Sequence, residues 1–145
     1  MLKKGSTILT VILLLLSFAI PASATTQDYP VSPYYLNATN CSYAFSISSS
    51  GVAFIEINCY GTADSFVKLI ANVKIQKRFL GLFWSDVAIG EPNDTWTAQS
   101  TSLNANLSKT FQLSKTGTYR AVFDIEVVGI NGNDQIEDKI QATYN

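Results

Sequence analysis

Acidic side chains are the residues of this sequence best suited to acid–base chemistry, because the chain contains no histidine. Asp86, Glu91 and Asp94 surround one predicted turn, and Asp124 and Glu126 share the outward face of one predicted strand. Two carboxylates held about 5 to 9.5 Å apart across a cleft can hydrolyse a glycosidic bond. A domain of this size rarely forms such a cleft. A small acidic-residue hydrolase is therefore the minor alternative, and we predict a non-enzymatic protein with no catalytic residue.

Other catalytic and metal-binding arrangements find little support. Histidine is the commonest general base and metal ligand, and Ser-His-Asp and Cys-His sites need it. The segment Asn131-Gly132-Asn133-Asp134, followed by Glu137 and Asp138, offers oxygen ligands for Ca²⁺, but its spacing does not match an EF-hand loop. We interpret it as a solvated hairpin turn and predict neither a metal nor a cofactor.

The two cysteines are predicted to form a disulfide bond. Cys41 begins a run that alternates with Tyr43, Phe45 and Ile47, and Cys59 ends a second run that contains Ala53, Ile55 and Ile57. A hairpin centred near Ser50 aligns both apolar faces and sets Cys41 opposite Cys59. Opposed Cα atoms in an antiparallel pair lie about 4.5 to 5.5 Å apart, which suits a disulfide. Two buried reduced thiols are the alternative.

The N-terminus predicts export. Lys3 and Lys4 precede an apolar run from Ile8 to Ile20, and Pro21-Ala22-Ser23-Ala24 supplies small residues for cleavage after Ala24. The run is shorter than the roughly 20 residues of a membrane-spanning helix. We therefore predict a signal peptide over 1–24 and a secreted product without a stable membrane span. A short uncleaved N-terminal anchor is the alternative. The even number of cysteines agrees with export, because disulfide bonds form in the oxidising environment outside the cell.

The chain after residue 24 has the size of one domain. Without Lys3 and Lys4 it carries eight Lys/Arg against eleven Asp/Glu, a net charge of −3. This mildly acidic composition lacks the basic footprint of nucleic-acid binding, which we exclude. Residues 25–34 contain two prolines and no periodicity, which indicates a flexible leader before a domain over 35–145.

Short alternating runs separated by Gly, Ser, Asn and Asp clusters predict an all-β domain. The clearest are Val67–Ile75 and Tyr119–Val127. Seven or so strands in this length favour a single immunoglobulin-like antiparallel β-sandwich, with a small closed barrel as the alternative. Tyr119 follows the Gly117 turn, as does the tyrosine corner that opens strand F of immunoglobulin-like domains.

One predicted hairpin tip is unusually apolar. The segment Phe79-Leu80-Gly81-Leu82-Phe83-Trp84 places five large apolar side chains around one glycine. We expect Phe79, Leu80 and Leu82 to be exposed and to meet a partner, a membrane surface or a second copy. In the alternative, Phe83 or Trp84 folds back onto the core. A rival hypothesis makes Trp84, Trp96 and the tyrosines a carbohydrate-stacking platform.

Five segments resemble small secreted proteins of Firmicutes that form a family of unknown function. The segments are 45–53, 73–77, 80–87, 107–111 and 117–120, within a likeness that covers residues 41–145. The resemblance implies an exported bacterial immunoglobulin-like module and no catalytic residues. Cys41 and Cys59 depart from the group, so their pairing rests on the register. We expect a binding or structural role at the cell surface or in the medium, with a protein or polysaccharide as partner.

Overall fold

The computed structural model describes residues 36–145, so the predicted signal peptide 1–24 and leader 25–34 lie outside the described part. Among the described residues, no helix is long and apolar enough to cross a membrane. Their regular structure is eight β-strands and one short 3₁₀ turn at Pro92–Asp94. The strands are β1 Ala38–Ile47, β2 Val52–Gly61, β3 Phe66–Phe79, β4 Phe83–Asp86, β5 Trp96–Ser100, β6 Asn104–Gln112, β7 Gly117–Gly129 and β8 Gly132–Tyr144.

The strands form two antiparallel sheets packed as a sandwich. The three-stranded sheet has the order β1-β2-β6, and the five-stranded sheet has the order β4-β3-β7-β8 with β5 also paired to β3. The predicted β-sandwich is confirmed. The structure has eight strands where the sequence suggested about seven. The additional strand arises because one edge of the long β3 pairs with two short strands: β5 pairs with residues 69–73 of β3, and β4 pairs with residues 76–79.

The core lies between the sheets and follows from alternation along the strands. On β3 and β7 every second side chain is buried, and the rings of Tyr43 and Phe123 meet at 5.1 Å between centroids. Removing these apolar faces from water is the main driving force for the fold. The largest side chains that are almost fully buried are Phe45, Phe123, Ile55, Ile57, Leu69, Ile75, Ile125, Val73 and Val127.

The β1–β2 hairpin has the predicted register, and the disulfide is formed. Cys41 lies opposite Cys59, as Phe45 lies opposite Ile55. The Cα atoms of the cysteines are 4.1 Å apart, their sulfur atoms are bonded at 2.03 Å, and both residues are 1% exposed. The prediction is therefore confirmed, and the alternative of two reduced thiols is wrong.

Removing this bridge is expected to lower the free energy of unfolding by about 2 kcal/mol. Loop closure suggests about 3 kcal/mol for a loop of this length, but the two strands are already close along the chain, which reduces the gain. Urea unfolding of Cys41→Ala/Cys59→Ala measures the loss, and the reduced wild-type protein should match the variant closely. Equal stability of oxidised wild type and variant would show that the bridge contributes nothing.

The outer edges of β6 and β8 each carry a charged residue at an inward-facing position. Lys109, opposite the buried Ile55, places its ammonium 3.0 Å from Glu91 Oε1. Asp138, opposite the buried Phe123, accepts a hydrogen bond of 3.0 Å from the Tyr43 hydroxyl. Inward charges on edge strands discourage pairing with another strand. These edges are therefore poorly suited to accept one.

The β7–β8 turn holds residues 36 and 37 through a cluster that we call the Asn37 clamp: Asn37, Gly129, Gly132 and Asp134. The Asp134 carboxylate accepts hydrogen bonds from the backbone amides of Leu36 and Asn37, at 3.1 and 2.8 Å. The Asn37 side-chain amide donates to the Gly132 carbonyl at 3.0 Å. Asn37 is 1% exposed and Asp134 is 7% exposed, so the bond from the Asn37 backbone amide to Asp134 lies away from water.

Tyr119 anchors the turn that precedes β7. Its side chain is buried, and its hydroxyl donates a hydrogen bond to the carbonyl of Lys115, four residues upstream. Burial, with a smaller contribution from Tyr144, raises the pKa of Tyr119, so the hydroxyl stays protonated and keeps donating. The hydrogen bond ties the start of β7 to the turn before it.

Candidate functional site

The candidate site is the hairpin tip that joins β3 to β4, residues 79–83, called the β3–β4 tip. Phe79 lies opposite Phe83, and the Leu82 amide donates a hydrogen bond of 3.1 Å to the Phe79 carbonyl. Both central residues of this turn have positive φ, 50° at Leu80 and 71° at Gly81. Such turns favour Asn-Gly, because asparagine and glycine tolerate the left-handed conformation. Leucine at the first position is costly.

Four large apolar side chains of the tip project into solvent. Phe79, Leu80 and Leu82, which the sequence predicts to be exposed, are 61%, 75% and 77% exposed. Phe83 is 64% exposed, so of the two residues named in the alternative, Phe83 does not fold back onto the core. This concentration of apolar surface on a protruding turn is a hallmark of an interaction site.

Trp84 forms the base of the tip and is half-buried between two arginines. The Arg120 guanidinium carbon lies 4.3 Å from the centroid of the Trp84 ring, and that of Arg78 lies 6.0 Å from it. Arg120 also donates from Nε to Gln76 Oε1 at 2.8 Å. These cation–π contacts and the hydrogen bond fix the indole and one guanidinium beside the apolar tip.

Asp86 closes this network on β4. It accepts a hydrogen bond of 2.7 Å from the Gln76 amide and pairs with Lys74 at 3.4 Å. The Gln76 hydrogen bond has the largest effect and lowers the pKa of Asp86. Burial opposes it, and the charge and hydrogen bond of Lys74 add smaller effects that lower the pKa further. The carboxylate is therefore ionised and already paired.

The burial of Trp96 contradicts its predicted role in a carbohydrate-stacking platform. The residue lies opposite Val73 in the β3–β5 pair and is only 6% exposed, as part of the core. It is therefore neither a partner-binding residue at the surface nor half of a stacking platform. The remaining tryptophan, Trp84, already stacks against Arg120.

Charge is unevenly distributed along the sandwich. The end that bears the tip comprises residues 46–52, 75–86, 111–121 and 140–145, as the strand pairings show. It carries four basic residues and one acidic residue, Asp86, a net charge of +3. The rest of 36–145 carries four basic and nine acidic residues, a net charge of −5. The basic residues of the tip end, called the basic collar, are Lys77, Arg78, Lys115 and Arg120.

The basic collar was not recognised in the sequence, because its members come from two separate segments. Lys77 and Arg78 end β3, whereas Lys115 and Arg120 flank the start of β7. The β3–β7 pairing brings Arg120 opposite Gln76 and sets the Lys77 ammonium over the Tyr119 ring, 5.4 Å from its centroid. In the sequence, this pairing was indicated only by the similar alternation of apolar and polar residues in the runs 67–75 and 119–127.

A second exposed apolar group lies at the opposite end. Leu36 and Ile130 are 64% and 67% exposed, and the Ile130 amide donates to the Ser65 carbonyl at 3.0 Å. Asp64 directly precedes Ser65, and Glu126 lies four residues before Ile130. Ile130 is therefore an exposed apolar residue on a hairpin turn in an acidic setting, which makes it a matched control for the tip.

The acidic residues considered for the alternative of a small hydrolase are not brought together as one pair across a cleft. Asp86 pairs with Lys74, whereas Glu91 pairs with Lys109. A shallow hollow of about 390 Å³ beside β8 is lined by three carboxylates, but Asp124 accepts a hydrogen bond from Gln135 and Asp138 accepts one from Tyr43. Within 36–145, no group of three or more acidic or cysteine side chains could hold a metal ion. The carboxylates lining the hollow are Asp124, Glu137 and Asp138.

Comparison of the chain with protein-family models, with curated proteins and with solved structures finds no match. Function must therefore be inferred from the β3–β4 tip itself. Two features distinguish it within the described residues: four exposed apolar side chains on one turn, and a basic collar at its base.

Proposed function

We propose that this chain is an exported, non-enzymatic, immunoglobulin-like module that binds a component of the cell surface through the β3–β4 tip. The observation that carries the proposal is the exposure of Phe79, Leu80, Leu82 and Phe83, each between 61% and 77%. Exposed apolar side chains on one turn contribute nothing to the core and lower solubility, whereas an interface would bury them.

The strand order supports the immunoglobulin-like assignment. The order β1-β2-β6 against β4-β3-β7-β8 corresponds to strands A-B-E against C′-C-F-G of that architecture. The hydrogen bond from Tyr119 to the Lys115 carbonyl corresponds to the tyrosine corner at the start of strand F. Ala121 lies where antibody domains carry their second cysteine, and here the disulfide joins neighbouring strands of one sheet instead.

Export is supported from two directions. The predicted signal peptide over 1–24 has a basic start, an apolar run and a small-residue cleavage site. The Cys41–Cys59 disulfide suits an oxidising compartment, where such bonds form and persist. The resemblance to secreted sandwich proteins of Firmicutes agrees with both features and favours a bacterial surface as the place of action.

Binding to isolated cell envelopes tests the proposal. Residues 25–145, which contain the whole described core, should sediment with envelope fragments of a Gram-positive bacterium. Leu80→Asp/Leu82→Asp should reduce the bound fraction at least about tenfold, because charged side chains resist transfer into an apolar contact. Ile130→Asp, the matched control at the opposite end, should bind as wild type does. Equal binding by all three proteins would contradict the proposal.

A further inference from the structure

We infer that the component bound by the β3–β4 tip is an anionic lipid bilayer, into whose headgroup region the four apolar side chains insert while the basic collar contacts lipid phosphates. This inference rests on the proposed function and names its ligand. The tip supplies the two contributions that interfacial binding requires, which are exposed apolar surface and cationic side chains beside it.

The shape of the tip suits a bilayer. Leu80, Gly81 and Leu82 form a loop that projects beyond the last paired residues, Phe79 and Phe83, so its side chains point away from the sandwich. A convex apolar loop can enter a soft surface without a preformed pocket. Trp84 lies at the base of the loop, and tryptophan favours the depth of the lipid headgroups.

The charge around the tip suits an anionic surface. Arg78 and Lys115 are exposed, and Arg120 is held beside the Trp84 ring at 4.3 Å. The single acidic side chain of this end, Asp86, is paired with Lys74 and Gln76, so it opposes an anionic surface less than a free carboxylate would. Each basic residue near such a surface typically strengthens binding about fivefold.

The charge distribution also orients the molecule. The tip end has a net charge of +3, and the rest of the described chain has a net charge of −5. An anionic membrane attracts the first and repels the second, so the sandwich should approach tip first. The exposed Ile130 lies at the repelled end and should stay in water.

A second copy of the chain is a poorer occupant. Two tips related by a twofold axis would bring like charges of +3 together, which opposes their contact. Inward charges at Lys109 and Asp138 discourage pairing of the sheet edges. A neutral polysaccharide would leave the basic collar unmatched.

Vesicle sedimentation tests the inference directly, with residues 25–145 and two kinds of vesicle. One contains phosphatidylcholine alone, and the other contains equal parts of phosphatidylglycerol and phosphatidylcholine. The wild type should bind the anionic vesicles at least about tenfold more tightly, and added salt should weaken that binding. Leu80→Asp/Leu82→Asp should abolish it, Arg78→Gln should weaken it about fivefold, and Ile130→Asp should leave it unchanged.

The outcomes separate the lipid inference from the proposed function. Tip-dependent binding to envelopes without binding to either vesicle overturns the lipid inference and leaves the proposed function standing. Equal loss on Leu80→Asp/Leu82→Asp and Ile130→Asp, or equal affinity for both vesicles, also overturns it. Tip-dependent self-association without lipid binding, seen by analytical ultracentrifugation, would assign the tip to a second copy instead. Unchanged thermal unfolding of the variants confirms that each one is folded.

Discussion

Replacement of Gly129 by alanine is expected to lower the free energy of unfolding by about 3 kcal/mol, the largest stability effect we expect from a single methyl group in this chain. An alanine Cβ at this position would lie 1.8 Å from Asn37 Oδ1. Asn37 is 1% exposed and bonded to the Gly132 carbonyl, so a movement of its side chain would disturb that bond and the surrounding packing. The methyl group would displace it and break buried hydrogen bonds of the Asn37 clamp.

A double-mutant cycle separates the clash from other effects of the methyl group. Asn37→Ala removes the atoms that the new Cβ would meet, so Asn37→Ala/Gly129→Ala should be about as stable as Asn37→Ala alone. Urea unfolding of the wild type and the three variants gives the coupling energy. If the two losses simply add, the close approach of Asn37 to Gly129 is not what makes glycine necessary here.

The Asn37 clamp shows where sequence patterns stop being informative. Alternating runs predicted the β1–β2 register and the disulfide, because the partners lie within one hairpin and share one apolar face. The hydrogen bond from the Asn37 amide to Asp134 joins residues separated by 97 positions. In the sequence, Gly129 cannot be distinguished from an ordinary turn glycine. Only the structure shows that the Asn37 side chain lies directly beside its Cα.

Trp96 illustrates a different limit. Trp96 is the first residue of the short strand β5. A strand of five residues alternates too briefly to show which of its faces is buried. Pairing with β3 decides the matter, because Trp96 lies opposite the buried Val73 and therefore faces the core.

The tip itself was the part of the site that the sequence predicted best. Five large apolar residues around Gly81 exceed what a solvent turn normally carries, and four of them are more than half exposed. The basic collar was missed, because only the β3–β7 pairing unites its two halves. Local composition thus located the surface, and tertiary structure supplied the charge that suggests its ligand.

Leu80→Asn is expected to raise the free energy of unfolding by about 1 kcal/mol, unlike most substitutions. Leu80 has a φ of 50° and is 75% exposed, so the native residue strains the backbone and buries little. Asparagine tolerates this conformation and precedes Gly81 as the turn type favours. Asn93 and Asp94, the other non-glycine residues with positive φ in 36–145, already follow this preference. Thermal and urea unfolding measure the gain, and a loss of stability would show that Leu80 serves the fold.

The same variant should lose binding, because asparagine removes the most protruding part of the apolar surface. We propose that the β3–β4 tip binds the cell surface and that leucine is retained at residue 80 for this binding, at a cost in stability. The fraction of Leu80→Asn that sediments with Gram-positive envelopes, beside wild type at equal concentration, tests this claim most directly. We predict a reduction of about tenfold in a protein more stable than the wild type. Wild-type binding by Leu80→Asn would contradict the claim.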